Sequence, residues 1–196
     1  MIDHERQPRL PGLLLALCVL SSACASNALT PQRQQAAIRS ESSLKQLIER
    51  GEASAAIGDM TRAEQYFVAA LKAGGDERDL VQRLLVVCVA DQRYPVAADY
   101  AEQYLYRHPL DIDLQFAAGS IHAAMGETLR ARELFEAVVR ERPAWPEPHY
   151  ALASLLREPG NAQELADQHD LEYLKLSPHG ALADTARARL TRRGMP

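Results

Sequence analysis

The sequence predicts an all-α solenoid, a row of helix pairs stacked side by side, and three observations predict it. Ala63, Ala97 and Ala131 recur at an interval of 34 residues, and a fixed period in this range is the mark of stacked repeats. Ala63, Phe67, Ala70 and Leu71 lie at i, i+4, i+7 and i+8, one face of an α-helix. The same spacing returns at Ala97, Ala101, Tyr104 and Leu105, and at Ala131, Phe135, Val138 and Val139. Each of these helices is bounded by breakers: Gly58, Gln92 or Gly126 before it, and Gly75, Pro109 or Pro143 after it. Proline lacks the N–H that a helix interior needs, and glycine is a poor helix former. One such pair cannot bury its apolar face alone, whereas stacked pairs can.

Taken in order, the chain opens on a targeting segment, residues 1–23. Met1–Pro11 is polar, with Arg6 and Arg9, and Gly12–Leu20 is apolar. That stretch is far short of the roughly 20 residues a spanning helix needs, and it precedes small residues, as in a signal peptide. Leu20-Ser21-Ser22-Ala23-Cys24 resembles a bacterial lipobox, departing from it at Ser21, where leucine is usual. The resemblance implies cleavage before Cys24 and lipidation of Cys24. Acyl chains anchor firmly, since each buried CH₂ contributes about 0.8 kcal/mol. Ala25 and Ser26 follow, and by analogy with bacterial sorting the lack of an Asp there implies the outer membrane, facing the periplasm. The alternative is ordinary cleavage near Ala23 or Ala25 and a soluble periplasmic product.

Residues 24–30 form a tether, and the solenoid is expected over 31–193. Thr30-Pro31 reads as an N-cap followed by Pro at the first helical position. The helix it starts runs through Ile38, Leu44, Leu47 and Ile48 toward Ile57. Repeats are expected at about 44–77, 78–111, 112–145 and 146–179. The run Val86–Ala90 is rich in β-branched residues but lies in a helix-length segment in register. The fourth repeat slips by one residue, because Ala166, Tyr173 and Leu174 match at a spacing of 35. Leu182, Ala186 and Leu190 recur every four residues, with Arg187, Arg189, Arg192 and Arg193 around them. They predict a basic amphipathic cap over 180–193, about the ninth helix.

These residues resemble the tetratricopeptide repeat (TPR) family. Ala118-Gly119, Gly126, Ala131, Phe135 and Pro143 carry the likeness best, followed by Gly51, Gly58, Ala63 and Phe67. The second repeat departs from it, with Leu85 in place of Gly, Gln92 in place of the turn Gly and Ala101 in place of Phe. The resemblance covers roughly residues 44–178 and implies a TPR solenoid, a right-handed superhelix of helix-turn-helix units. It also implies a concave groove lined by the first helix of each repeat. On this chain its fifth and ninth positions are Ile48 and Glu52, Gln82 and Val86, Phe116 and Ser120, and Tyr150 and Ser154. Arg157 flanks the strip. The Lys and Asn with which some TPR domains hold a peptide carboxylate are missing. A mixed, partly apolar strip suits an extended or helical peptide, while Phe116 and Tyr150 serve equally well as packing between repeats.

Composition narrows the function classes. The net charge is −4, which leaves no basic footprint for nucleic acid. Of Cys18, Cys24 and Cys88, only Cys88 is free of the leader and the lipid, so no intramolecular disulfide is expected. Cys88 falls on an apolar face and reads as a small core residue. Six histidines are scattered without a metal-ligand spacing: His122, His149 and Tyr150 stand where first helices carry aromatic residues, and His169-Asp170 has no HExxH neighbour. Asp111 and Asp113 suit a helix start. No phosphate loop or nucleophile elbow is present in the sequence.

No enzymatic activity, cofactor, metal, nucleic acid or small-molecule substrate is therefore expected. The expectation is a membrane-anchored scaffold for a protein or peptide partner in the cell envelope. Resemblance to TPR lipoproteins points to assembly of a type IV or tight-adherence pilus and its secretin. β-Barrel assembly, cell-wall enzyme complexes, and a soluble accessory subunit of an enzyme are the alternatives.

Overall fold

A computed structural model of the chain describes residues 31–157 and 162–192, with side chains from residue 43 onward. The expected targeting segment, the expected tether with Cys24, and Arg193 lie outside the described residues. The described chain is helical throughout: α1 (Pro31–Ala56), α2 (Met60–Lys72), α3 (Glu77–Ala90), α4 (Tyr94–Arg107), α5 (Ile112–Ala124), α6 (Thr128–Glu141), α7 (Pro146–Leu156), α8 (Gln163–Leu176) and α9 (Ala183–Thr191). Each helix packs on the one before and the one after it, and first helices of neighbouring repeats touch at α5 and α7. This is the stacking of an α-solenoid, in which a unit contacts only its neighbours. The β-branched run Val86–Ala90 lies within α3, as its register requires.

The small-residue positions make the close contacts. Ala63, Ala97, Ala131 and Ala166 are all 0% exposed. Facing them, size is balanced across each pair. A Cβ added at Gly51 would stand 2.4 Å from the Phe67 ring, and one at Gly119 would stand 2.7 Å from the Phe135 ring. Residues 34 further on from Gly51 and Phe67 are Leu85 and Ala101, both buried, with the large and small members exchanged. The second repeat therefore departs from the TPR pattern by a compensated swap.

The turns within the first three pairs are alike. Gly58 N–H donates to Ala55 O and Asp59 N–H to Ser54 O; Gln92 and Arg93 bond Val89 and Cys88 in the same way, and Gly126 and Glu127 bond Ala123 and His122. The turn requires a left-handed residue, with φ +82° at Gly58, +77° at Gly126 and +58° at Gln92. Gln92 holds that conformation without the freedom glycine has. Cys88 occupies the same register position as Ser54 and His122, all three buried. Burial pushes its thiol up to about 11, which suits a core residue and not a nucleophile.

Candidate protein-binding groove

The first helices α1, α3, α5 and α7 carry the fifth and ninth repeat positions in a row. The fifth-position side chains Ile48, Gln82, Phe116 and Tyr150 are all half-buried. At the ninth, Glu52, Val86 and Ser120 are exposed, and Val86 is 67% exposed in the middle of a helix. Between α1 and α3 a depression of about 450 Å³ opens, floored by Ala55, Ala56, Phe67, Val86 and Val87. Glu52, Asp79, Gln82 and Arg83 rim it. A second depression of about 410 Å³, lined by Leu44, Lys45, Ile48, Glu49 and Glu52, adjoins it along α1.

Arg83 holds the rim in place. Its Nη1 donates to Glu52 Oε1 at 2.5 Å and its Nε to Asp79 Oδ2 at 2.8 Å, and its guanidinium lies 5.9 Å from the Phe67 centroid. The result is an apolar floor edged by paired charges of both signs, which can bury an apolar side chain while the edge offers hydrogen bonds.

Toward the C-terminus the strip is occupied by the chain itself. The Phe116 ring lies 4.7 Å from that of Trp145 and 5.5 Å from that of Phe135, and Ser120 Oγ donates back to Phe116 O at 2.9 Å. At α7, Arg189 from α9 places its guanidinium 4.4 Å over the Tyr150 ring. Its Nη2 also donates to Tyr150 Oη at 3.0 Å and to Ser154 Oγ at 3.1 Å. Arg157 is turned to α8, where its Nη2 meets Asp167 Oδ1 and Asp170 Oδ2, each at 2.6 Å. Of the residues singled out in the sequence, Ile48, Gln82 and Val86 share the open part. Phe116 packs on Trp145 and Phe135, Ser120 is exposed, and Tyr150 and Arg157 are engaged within the fold.

Sequence reading missed Arg83 and Arg189. Arg83 follows Gln82 in an ordinary helical stretch, and only the pair with Glu52, 31 residues away, gives it a role. In the sequence Arg189 is only one of the arginines around the apolar positions of the cap, whereas its contacts with Tyr150, Ser154 and Asp170 join it to α7 and α8.

Elsewhere, charged side chains tie repeats together. Arg78 bonds Asp111 (Nε to Oδ2, 2.6 Å) and Asp113 (2.7 Å), and Arg142 bonds Asp113 at 2.6 Å. Asp111 also caps α5 through Leu114 N–H and accepts from Tyr104 Oη at 3.0 Å. Burial alone would raise the Asp111 carboxyl, but Arg78, the Leu114 N–H and the Tyr104 hydroxyl outweigh it and hold it below its ordinary value. His122 is buried with Nδ1 2.6 Å from Glu127 and Nε2 3.1 Å from Glu102, so both ring nitrogens are engaged. Among the described residues no group of three or more His, Cys, Asp or Glu side chains is placed to hold a metal, and no helix is long and apolar enough to cross a membrane.

This arrangement of helix pairs, turns and groove is that of a TPR α-solenoid. Solved structures share it. The TPR protein YrrB, described as having an unusual peptide-binding site, superposes with a TM-score of 0.61 at 23% identity, over 70% of this chain and 71% of that one. A tetratricopeptide repeat protein from Parabacteroides merdae superposes at 0.70 with 23% identity, over 78% of this chain and 61% of its own length. MamA superposes at 0.61 with 14% identity, over 75% and 86%. At such identities the likeness is one of fold. No protein-family model matches the sequence, and no curated protein does either.

Proposed function

We propose that this chain is a non-enzymatic scaffold that binds a protein or peptide of the cell envelope in the groove between α1 and α3. The observation that carries this reading is Val86, a β-branched apolar side chain 67% exposed beside an apolar depression of about 450 Å³. Exposing it costs hydration free energy of roughly 25 cal/mol per Å² of apolar surface, which a partner's side chain would recover. YrrB, the neighbour described by its peptide-binding site, lends the same fold a precedent. The lipobox-like Cys24 supports a lipid anchor at the outer membrane, and the size and anchor suit assembly of an envelope complex such as a pilus with its secretin.

The groove is tested with a photo-crosslinking residue placed at Val86 in intact envelopes, and separately at Tyr106. Tyr106 is 89% exposed on α4, a second helix, and lines a different depression of about 890 Å³ between α4 and α6. A discrete adduct from Val86 is expected. Adducts from Tyr106 alone would move the binding surface to the second helices. Palmitate labelling that is lost on Cys24→Ser tests the anchor.

A further inference from the structure

His149 of α7 and His169 of α8 stand 20 residues apart in the chain, yet their Nδ1 atoms approach to 3.1 Å, with ring centroids 5.3 Å apart. His149 is buried, and its other nitrogen, Nε2, lies 2.9 Å from Pro143 O in the connection between α6 and α7. A carbonyl oxygen only accepts, so His149 carries its proton on Nε2 and presents a bare Nδ1 lone pair toward His169. A backbone carbonyl that fixes the tautomer in this way is the usual outer support of a metal-binding imidazole.

We propose that His149 and His169 form a two-imidazole site for a borderline transition-metal dication such as Zn²⁺, between the two helices of the fourth repeat. Zinc–nitrogen bonds of about 2.0–2.1 Å at ordinary coordination angles place two ligand nitrogens about 3.1–3.4 Å apart, the spacing already present. Without metal, His169 Nδ1–H donates to His149 Nδ1. On binding, that proton moves to His169 Nε2 and both Nδ1 lone pairs face the ion, so no net proton is released. Imidazole nitrogens favour this class of metal over calcium or magnesium. Glu136 of α6 and Asp170 of α8 lie within electrostatic reach of His169, but each is already paired, Glu136 with Arg132 and Asp170 with Arg157 and Arg189, so the two imidazoles carry the site. Water completes the coordination, since the Glu136 carboxylate is bonded to Arg132 Nε at 2.6 Å. The ion would join α7 to α8 beside the Pro143 turn.

The test titrates Zn²⁺ into the untagged chain, stripped with a chelator, against a chromogenic competitor. The wild type is expected to bind one equivalent and to melt at a higher temperature with the ion, because a ligand of the native state stabilises it. His169→Gln is expected to weaken the binding at least tenfold and to remove the melting shift. His149→Phe should do the same, and His179→Gln, at an exposed loop histidine outside the pair, should do neither. Equal affinity in wild type and His169→Gln, or no bound equivalent on the wild type, overturns the proposal. His149 is the more buried of the two, so if His149→Phe does not fold, His169→Gln decides alone, with circular dichroism confirming that it keeps its helices.

Discussion

The third and fourth repeats fill one structural position in opposite ways. In α6 it is Phe135, buried against Gly119 with its ring tilted against that of Phe116. In α8 the corresponding residue, one step late, is Asp170, 0% exposed. Asp170 accepts from Arg157 Nη2 at 2.6 Å, and Arg189 Nη1 lies 3.4 Å from its other oxygen. The third repeat has a helix pair on either side, so its buried positions are mostly filled by apolar side chains, and its charged pairs, such as Arg142 with Asp113, lie at the partly exposed edges. Beyond the fourth, the described residues supply α9, a helix of nine residues with Ala183, Ala186 and Leu190 buried. So short an apolar face fixes orientation poorly, whereas a guanidinium that must reach a buried carboxylate and a tyrosine ring fixes it well. The difference teaches that the end of this solenoid is specified by directional contacts and its middle by packing.

Two substitutions break that contrast, and they are the largest effects expected. Asp170→Ala leaves Arg157 and Arg189 without their shared partner and should cost about 3–5 kcal/mol, as when one member of a buried ion network is removed. Phe135→Ala should cost a similar amount, about 3–5 kcal/mol, through the cavity it opens. Urea midpoints measure both. The causes separate on adding Arg189→Leu: part of the loss should return in the Asp170→Ala background and none in the Phe135→Ala background, because only the first leaves a half-buried guanidinium without its carboxylate.

The middle of the molecule was legible in the sequence because packing between like units leaves a period. Ala63, Ala97 and Ala131, the breakers and the helical reading of Val86–Ala90 could all be read from it. The end was not, since its contacts join residues of unrelated spacing. Nothing in the order of residues says that Arg189 turns inward to Tyr150 or that His149 meets His169. The groove was half legible. Its fifth and ninth positions came from the family resemblance, but which of them stay open depends on where Arg157 and Arg189 point.

The swap in the second repeat sharpens the packing half of the comparison. Copying it into the first repeat as Gly51→Leu with Phe67→Ala should be tolerated far better than its parts. Gly51→Leu alone overpacks against the Phe67 ring, at about 1–3 kcal/mol. Phe67→Ala alone opens a cavity worth about 3–5 kcal/mol. A coupling of about 0.5–3 kcal/mol in the double-mutant cycle is expected; strict additivity would mean that the two sites do not share the space.

Between the extremes lies the junction of the second and third repeats, held by the partly exposed network around Asp111. The folded-state pKa of Asp111 is below that of an unfolded aspartate, about 3.9. Its contribution is therefore present above about pH 4 and is lost as the pH falls through the lowered folded value, because the unfolded state then binds the proton more readily. Asp111→Asn should melt below the wild type at neutral pH, and the gap should close on acidification. A gap that stays constant to about pH 2 would mean that the aspartate acts there by shape alone.

The smallest effect expected tests whether the register dictates the backbone regardless of the residue. Gln92 takes the left-handed turn conformation that Gly58 and Gly126 take, at φ +58°. For a residue with a Cβ this costs roughly 1–2 kcal/mol, and part of what glycine would recover is returned as unfolded-state entropy. Gln92→Gly should thus stabilise by about 0.5–1 kcal/mol, and Gly126→Gln should destabilise by a similar amount. Space is not at issue, because a Cβ at Gly126 would meet nothing within 4 Å. Opposite signs of matching size would show that the turn is imposed by the packing of helices on either side. If Gln92→Gly lowers the midpoint instead, the glutamine contributes something in that turn beyond its backbone, and the second repeat differs from its neighbours in more than size.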